Sequence, residues 1–273
     1  MNRGHSGQGF KFDIPLIIKL LSDIQNGCKT KAGLSMQNGL GDQKIDSYIE
    51  YLGKVDLITK NQQNEYETTY FGLSILKLKN NYNFLEPLLL YKLARGEKNG
   101  GHLYFSALIN FILYDIAFRI NNKITFSDIE KSFEIQFPQI KHSKKFILLR
   151  QALNHGLCDN TTGFGKMGMV VYKDGLYEVS GYIPHKLVTA YIFYDNWPKS
   201  RAALKIDELP TKDYFPAKIF FMGQDLLNKQ IHNLVEDRIL YLEQEAGLDQ
   251  IRLSPELDGD KILDRIVETC ISN

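Results

Sequence analysis

The stretch LSMQNGLGDQKIDSYIEYLGKVDLI, Leu34 to Ile58, decides the fold. Its Asn38-Gly39-Leu40-Gly41 tetrapeptide supplies residues that tolerate positive φ in a tight reversal. From Asp42, suited to cap a helix, Ile45, Tyr48, Ile49 and Leu52 recur at i, i+3, i+4 and i+7, so one face is buried. Gln43, Lys44, Asp46, Ser47 and Glu50 are expected on the outward face. Gly53 ends the helix, and Leu57 and Ile58 open an apolar strand. With a short helix near Thr30 to Met36, the stretch reads as helix, turn, helix.

Upstream, Asp13 can cap, Pro15 fits a first helical turn, and Ile17, Leu20, Leu21 and Ile24 form one apolar stripe that stops at Gly27. Downstream, LITKNQQNEYETT reads as a hairpin around Asn61 to Asn64, and Thr69 can cap the next helix. The order helix, helix, turn, helix, hairpin, helix is that of a winged helix-turn-helix.

Phe84 to Ile120 carries too few charges for a surface helix pair and is expected as a helical core. A second cycle starts at Lys123. TFSDIEKSFEIQF reads as a helix with Ser127 or Asp128 near its cap, and HSKKFILLRQALNHGL as the next helix. MGMVVYK and LYEVSG form a hairpin joined by Asp174 and Gly175, a pair suited to a two-residue reversal. Pro184, Pro198, Pro210 and Pro216 punctuate the region beyond this hairpin, with ELPTKDYFPA as the best linker. The predicted fold class is mainly α with small β-hairpins (α+β), as tandem winged-helix-like units around a helical core. Its parts are residues 1–82, residues 83–205 with the second unit, and an α+β cap over 206–273.

The 33 basic and 32 acidic residues nearly cancel, so any charge that binds a polyanion must be local. Cys28, Cys158 and Cys270 lie far apart without a CxxC pair, which argues against a disulfide framework or a zinc site and fits a reducing, cytoplasmic setting. No apolar run is long enough to span a membrane. The six histidines show no metal-binding spacing, and no nucleophilic triad, P-loop or nuclease carboxylate pair can be assembled. GFGKMG, Gly163 to Gly168, matches GxGxxG only by letter, because its next segment is strand-like and not helical; it is expected to be a flexible loop. Asp260 is expected as a helix cap. The aromatic run Tyr191 to Trp197 is expected in the core. The expectation is a protein without catalytic residues, cofactor or metal.

Several stretches resemble a bacterial family known as domain of unknown function 4007. They are GLGDQKIDSYIEYLGKVDLI, YETTYFGLSIL, LYEVSGYIPHKLVTAYIFYDNW, FPAKIFFMGQDLLNKQIHNL and EAGLDQIRL, in the family's order, with a looser match at Gly4, His5 and Phe10. The family usually has an acidic residue after that histidine, where Ser6 stands here. The resemblance implies an accessory protein encoded beside PAPS-reductase-like sulfur-transfer enzymes in DNA phosphorothioation and phage-defence loci. It carries over no catalytic residues.

Double-stranded DNA is the partner these residues point to. On the helix from Asp42, Lys44 faces Asp42, Asp46 and Glu50, an excess of negative charge that is unfavourable among phosphates. Lys29, Lys31, Lys54 and Lys60 can offset it, and the Asn61 to Asn64 tip can donate neutral hydrogen bonds. In the second unit, Lys141, His142, Lys144, Lys145 and Arg150 sit where a recognition helix presents its first turns. The candidate DNA-contacting residues are Lys29, Lys31, Lys44, Ser47, Lys60, Asn61, Lys141, His142, Lys144 and Lys145. The alternative is a scaffold that docks protein partners, such as a PAPS-reductase-like subunit, through the same units without touching DNA.

Overall fold

A computed structural model describes residues 11–96, 102–141, 144–245 and 248–271. Gly4, His5, Phe10 and His142 lie outside the described residues.

Three helices, α1 (Ile14–Gln25), α2 (Lys31–Asn38) and α3 (Asp42–Lys54), lead into a hairpin of β1 (Ile58–Lys60) and β2 (Tyr66–Thr68), then α4 (Tyr70–Lys77). Asp13, Thr30 and Thr69 cap α1, α2 and α4 by accepting the Leu16, Gly33 and Gly72 N–H groups. Gly39 takes a left-handed conformation (φ 60°) at the end of α2. Asp42 is not the cap expected of it: Gly41 stands at the cap of α3 and no side chain bonds there. Gly72 is required for closeness, since a Cβ there would lie 2.3 Å from the Leu57 carbonyl oxygen. Where many winged helices have a further strand, the Tyr66 N–H donates to the Lys29 carbonyl (2.9 Å), tying the hairpin to the start of α2.

The centre is α5 (Tyr82–Ala94), buried without a break from Phe84 to Ala94, as expected of a helix enclosed on all sides. Beside it runs α6 (Leu103–Ala107), a π-helical segment (Leu108–Leu113) and α7 (Tyr114–Ala117). The second unit holds β3 (Lys123–Ile124), α8 (Phe126–Gln136), α9 (Lys145–Gln151) continued by a π-helical segment (Ala152–Leu157), then β4 (Val170–Lys173) and β5 (Leu176–Val179). Its antiparallel sheet has the order β3-β5-β4, so the first strand pairs with the last across the unit, the topology of a winged helix. Thr125 and Asp128 form a capping box on α8, with Thr125 as the cap rather than Ser127 or Asp128. Asp174 and Gly175 both have positive φ (51° and 82°), as a two-residue hairpin turn demands.

The remainder comprises α10 (Lys186–Asn196), β6 (Leu204–Lys205), a 3-10 turn (Ile206–Thr211), α11 (Pro216–Phe220), α12 (Gln224–Glu236), β7 (Leu240–Glu245), β8 (Leu248–Leu253) and α13 (Gly259–Ile271). Its antiparallel sheet runs β6-β8-β7. ELPTKDYFPA is packed and is not a linker. Leu209 and Phe215 are buried, the Tyr114 hydroxyl donates to the Pro210 carbonyl, and buried Asn110 accepts the Tyr214 N–H. GFGKMG is likewise a packed turn, with Phe164 buried and a 3-10 turn at Gly165–Met167. At α13 Asp258, not Asp260, accepts the Lys261 N–H. Tyr191 is buried as expected, stacked 5.7 Å from Phe71. α13 packs on both α10 and α4, and its Asp264 accepts the Tyr70 hydroxyl. No helix among the described residues is long and apolar enough to cross a membrane.

Candidate nucleic-acid interface

The first candidate surface is built around Tyr66, which β2 carries inward. Lys60, one strand across, holds its Nζ 5.4 Å from the Tyr66 ring centre. Lys29 reaches the same residue through its backbone, and Lys31 lies close enough to act on the phenol. Burial first, then the Asp46 carboxylate, raises the Tyr66 phenol above its ordinary pKa, and Lys31 works against them. Three candidate lysines from α2, the turn before it and β1 are thus brought together beside α3.

The negative excess on α3 is answered locally at Asp46 and Glu50. Lys31 Nζ lies 2.7 Å from one Asp46 oxygen and 2.8 Å from the other. Lys54 pairs with Glu50 at 2.8 Å. Lys31 is accordingly shifted upward, chiefly by its hydrogen bond to Asp46. Such exposed pairs add little stability, yet they cancel the charge that would repel phosphate. Lys44 is half-buried on the same helix.

Two candidate residues have other roles. Ser47 is only 3% exposed and its hydroxyl donates to the Gln43 carbonyl, so it cannot reach a groove. The buried arc of α3 takes in Ile45, Ser47, Tyr48, Tyr51 and Leu52, wider than the stripe the spacing shows, because α1, α2 and β1 all pack on it. Asn61 builds the wing turn: its Oδ1 accepts the Gln63 and Glu65 N–H groups, and its Nδ2 donates to Glu67. The exposed tip is Gln62, Gln63 and Asn64.

In the second unit, Lys141 and Lys144 face solvent, with Lys144 at the N-cap of α9. Lys145 is engaged, its Nζ 2.8 Å from Glu134 and 4.7 Å from the Phe146 ring centre. Beyond this basic end, the helix shows solvent a row that the lysine count overlooks. Ile147, Arg150, Gln151, Asn154 and His155, with Phe146 of the same helix and Glu130 of α8, line an open groove of about 410 Å³. The i, i+3, i+4, i+7, i+8 spacing of the first five is the signal the sequence offers for it.

A buried charged centre lies where the first unit meets the core. Lys92 of α5, 1% exposed, sits 2.9 Å from Asp195 of α10 and 3.3 Å from Asp56, the positive-φ residue before β1. Arg95 and the Tyr91 hydroxyl also bond Asp195, at 3.2 and 2.9 Å. Phe71 and Tyr191 flank the ammonium at 4.7 and 5.3 Å. No sequence motif marks this centre, whose partners are 36 and 103 residues apart.

Among the described residues, no group of three or more His, Cys, Asp or Glu could hold a metal ion. The winged helix-turn-helix family matches residues 11–86. Two solved structures share the fold of nearly the whole chain. One is an SspB crystal structure (TM-score 0.72) and the other a magnesium ion-bound SspB crystal structure (TM-score 0.73). Each is 11% identical over 98% of this chain and 88% of its own. Among curated proteins, nothing matches.

Proposed function

We propose that this protein is a winged-helix DNA-binding accessory subunit serving a bacterial DNA phosphorothioation or phage-defence system. The observation that carries the DNA half is the placement of Lys29 and Lys60 beside Tyr66, next to a helix whose Asp46 and Glu50 are already paired by Lys31 and Lys54. A duplex laid across the wing and α3 meets these cations and the tip amides, with Asp46 and Glu50 screened and Asp42 left exposed. The phosphorothioation half rests on the resemblance to domain of unknown function 4007. In this reading the protein delivers or holds DNA for a sulfur-transfer partner and performs no catalytic step itself.

The test is fluorescence anisotropy on short labelled duplexes. Affinity is expected to fall steeply between about 50 and 200 mM salt. The double charge reversal Lys29→Glu, Lys60→Glu is expected to weaken low-salt binding about 10-fold or more, equally for all sequences, and to flatten the salt slope. Binding that is absent at low salt, or indifferent to both changes, overturns the reading. Nicked or linear product from supercoiled plasmid incubated with Mg²⁺ would overturn its non-catalytic part.

A second reading is a scaffold that docks other subunits without DNA. Strongly exposed Phe118, Ile120 and Ile135 favour it. Capture of a PAPS-reductase-like partner that survives Phe118→Ser with Ile120→Ser would remove that support.

A further inference from the structure

Resting on the duplex-binding reading above, we infer that the outward face of α9 and its π-helical continuation reads base edges in the major groove and sets sequence preference. The second unit has the strand, two helices and hairpin of a winged helix, with β3 pairing to β5, which makes α9 its recognition helix. This placement is independent of the lysines gathered on the first unit.

The residue types on the face suit base edges better than phosphates. Arginine pairs in a fork with guanine O6 and N7, and glutamine or asparagine pairs with adenine N6 and N7. Here Arg150, Gln151 and Asn154 share one face with His155, and Ile147, 56% exposed, stands where a thymine methyl can be touched. The carboxylate on the groove, Glu130, comes from α8 and can accept from a cytosine amino group.

Two of these side chains are held ready. Asn154 Oδ1 accepts the Tyr177 hydroxyl at 2.6 Å, and Tyr177 is 3% exposed in β5, so the wing strand orients the amide and leaves its N–H groups for a ligand. The Arg150 guanidinium lies 4.0 Å from the Phe126 ring centre, a cation–π contact that restrains the side chain while Arg150 stays exposed. Asn154 and His155 fall in the π-helical segment, an element that is frequent at functional sites. Lys141 and Lys144, near the start of the helix, are placed to meet flanking phosphate.

The experiment is selection from a random-sequence duplex library with the full chain, then anisotropy on the selected and scrambled duplexes. The wild-type chain is expected to enrich a short motif. Arg150→Ala, Asn154→Ala and the charge-preserving Arg150→Lys are each expected to reduce discrimination at one motif position about 5- to 100-fold, and Asn154→Ala and Arg150→Lys to leave low-salt affinity for scrambled duplex unchanged within about 3-fold. Matched thermal midpoints exclude misfolding as the cause. Duplex binding without any enriched motif, or a motif that survives all three variants, overturns the inference and leaves the duplex-binding reading standing. Failure to bind any duplex at low salt overturns both.

Discussion

Lys92→Met and Asp195→Asn act on the same ion pair, and the structure predicts very different costs. Taking the charge from Lys92 leaves an unbranched apolar side chain of similar length among Phe71, Tyr91 and Tyr191, where a thioether makes favourable ring contacts. The carboxylates it leaves behind are provided for: Asp195 keeps Arg95 at 3.2 Å and the Tyr91 hydroxyl at 2.9 Å, and Asp56 is 57% exposed to water. The expected loss is about 1 kcal/mol, the net worth of one charged hydrogen bond less the gain in packing. Asp195→Asn instead strands an ammonium that is 1% exposed, with Asp56 at 3.3 Å left to answer it. Removing one partner of a buried pair costs about 3–5 kcal/mol, and the residual Asp56 contact puts this case near 3. In a chain of this size that is a fall in unfolding midpoint of roughly 6–12 °C, against about 2–4 °C for Lys92→Met. Urea and thermal unfolding monitored by circular dichroism measure both, and the double variant should recover most of the Asp195→Asn loss. If Lys92→Met proves as costly as Asp195→Asn, the ion-pair argument is wrong and Lys92 matters through its packing.

Gly72→Ala places a methyl 2.3 Å from the Leu57 carbonyl and should cost about 1–3 kcal/mol in denaturant unfolding while loosening the wing. Burial pushes the Glu86 carboxyl up to about 7 from its ordinary 4.5, with Lys166 opposing. The folded chain then holds the proton more tightly than the unfolded one, so this contribution is full below pH 4.5 and is lost as pH rises through about 7. Glu86→Gln should remove that slope and raise stability at alkaline pH by at most about 3 kcal/mol, read from unfolding midpoints across pH. Thr125→Ala deletes the α8 capping box and should cost about 1 kcal/mol in the same assay.

Local chemistry is legible wherever a short stretch decides its own conformation. Asp13 and Thr69 are readable as caps, and Asp174-Gly175 as a hairpin turn, because each acts within four residues. The caps of α3, α8 and α13 fall one to three residues before the residues expected to fill them, and the other features that escape the sequence depend on contacts distant in the chain. Ser47 lies at an outward position by stripe counting, and only the packing of three other elements on α3 buries it. Asn61 looks free for a ligand because its Glu67 partner and the turn it closes are features of the folded wing. ELPTKDYFPA carries the composition of a linker, and the buried amide of Asn110 helps hold it in place. The centre at Lys92 has partners on more than one element, and no local motif joins them. The candidate site is half legible: the lysines near Tyr66 stand out by residue type, but their convergence does not.

The packing of α13 on α4 bears on how the chain comes to be folded. Tyr70 finds its hydroxyl partner in Asp264, 194 residues further along, so the N-terminal winged unit leaves the ribosome with one flank of α4 still uncovered. Contacts of such long sequence separation form slowly and leave apolar surface open in the meantime. Nascent chains cut before residue 259 should therefore show a protease-sensitive first module that later synthesis makes resistant.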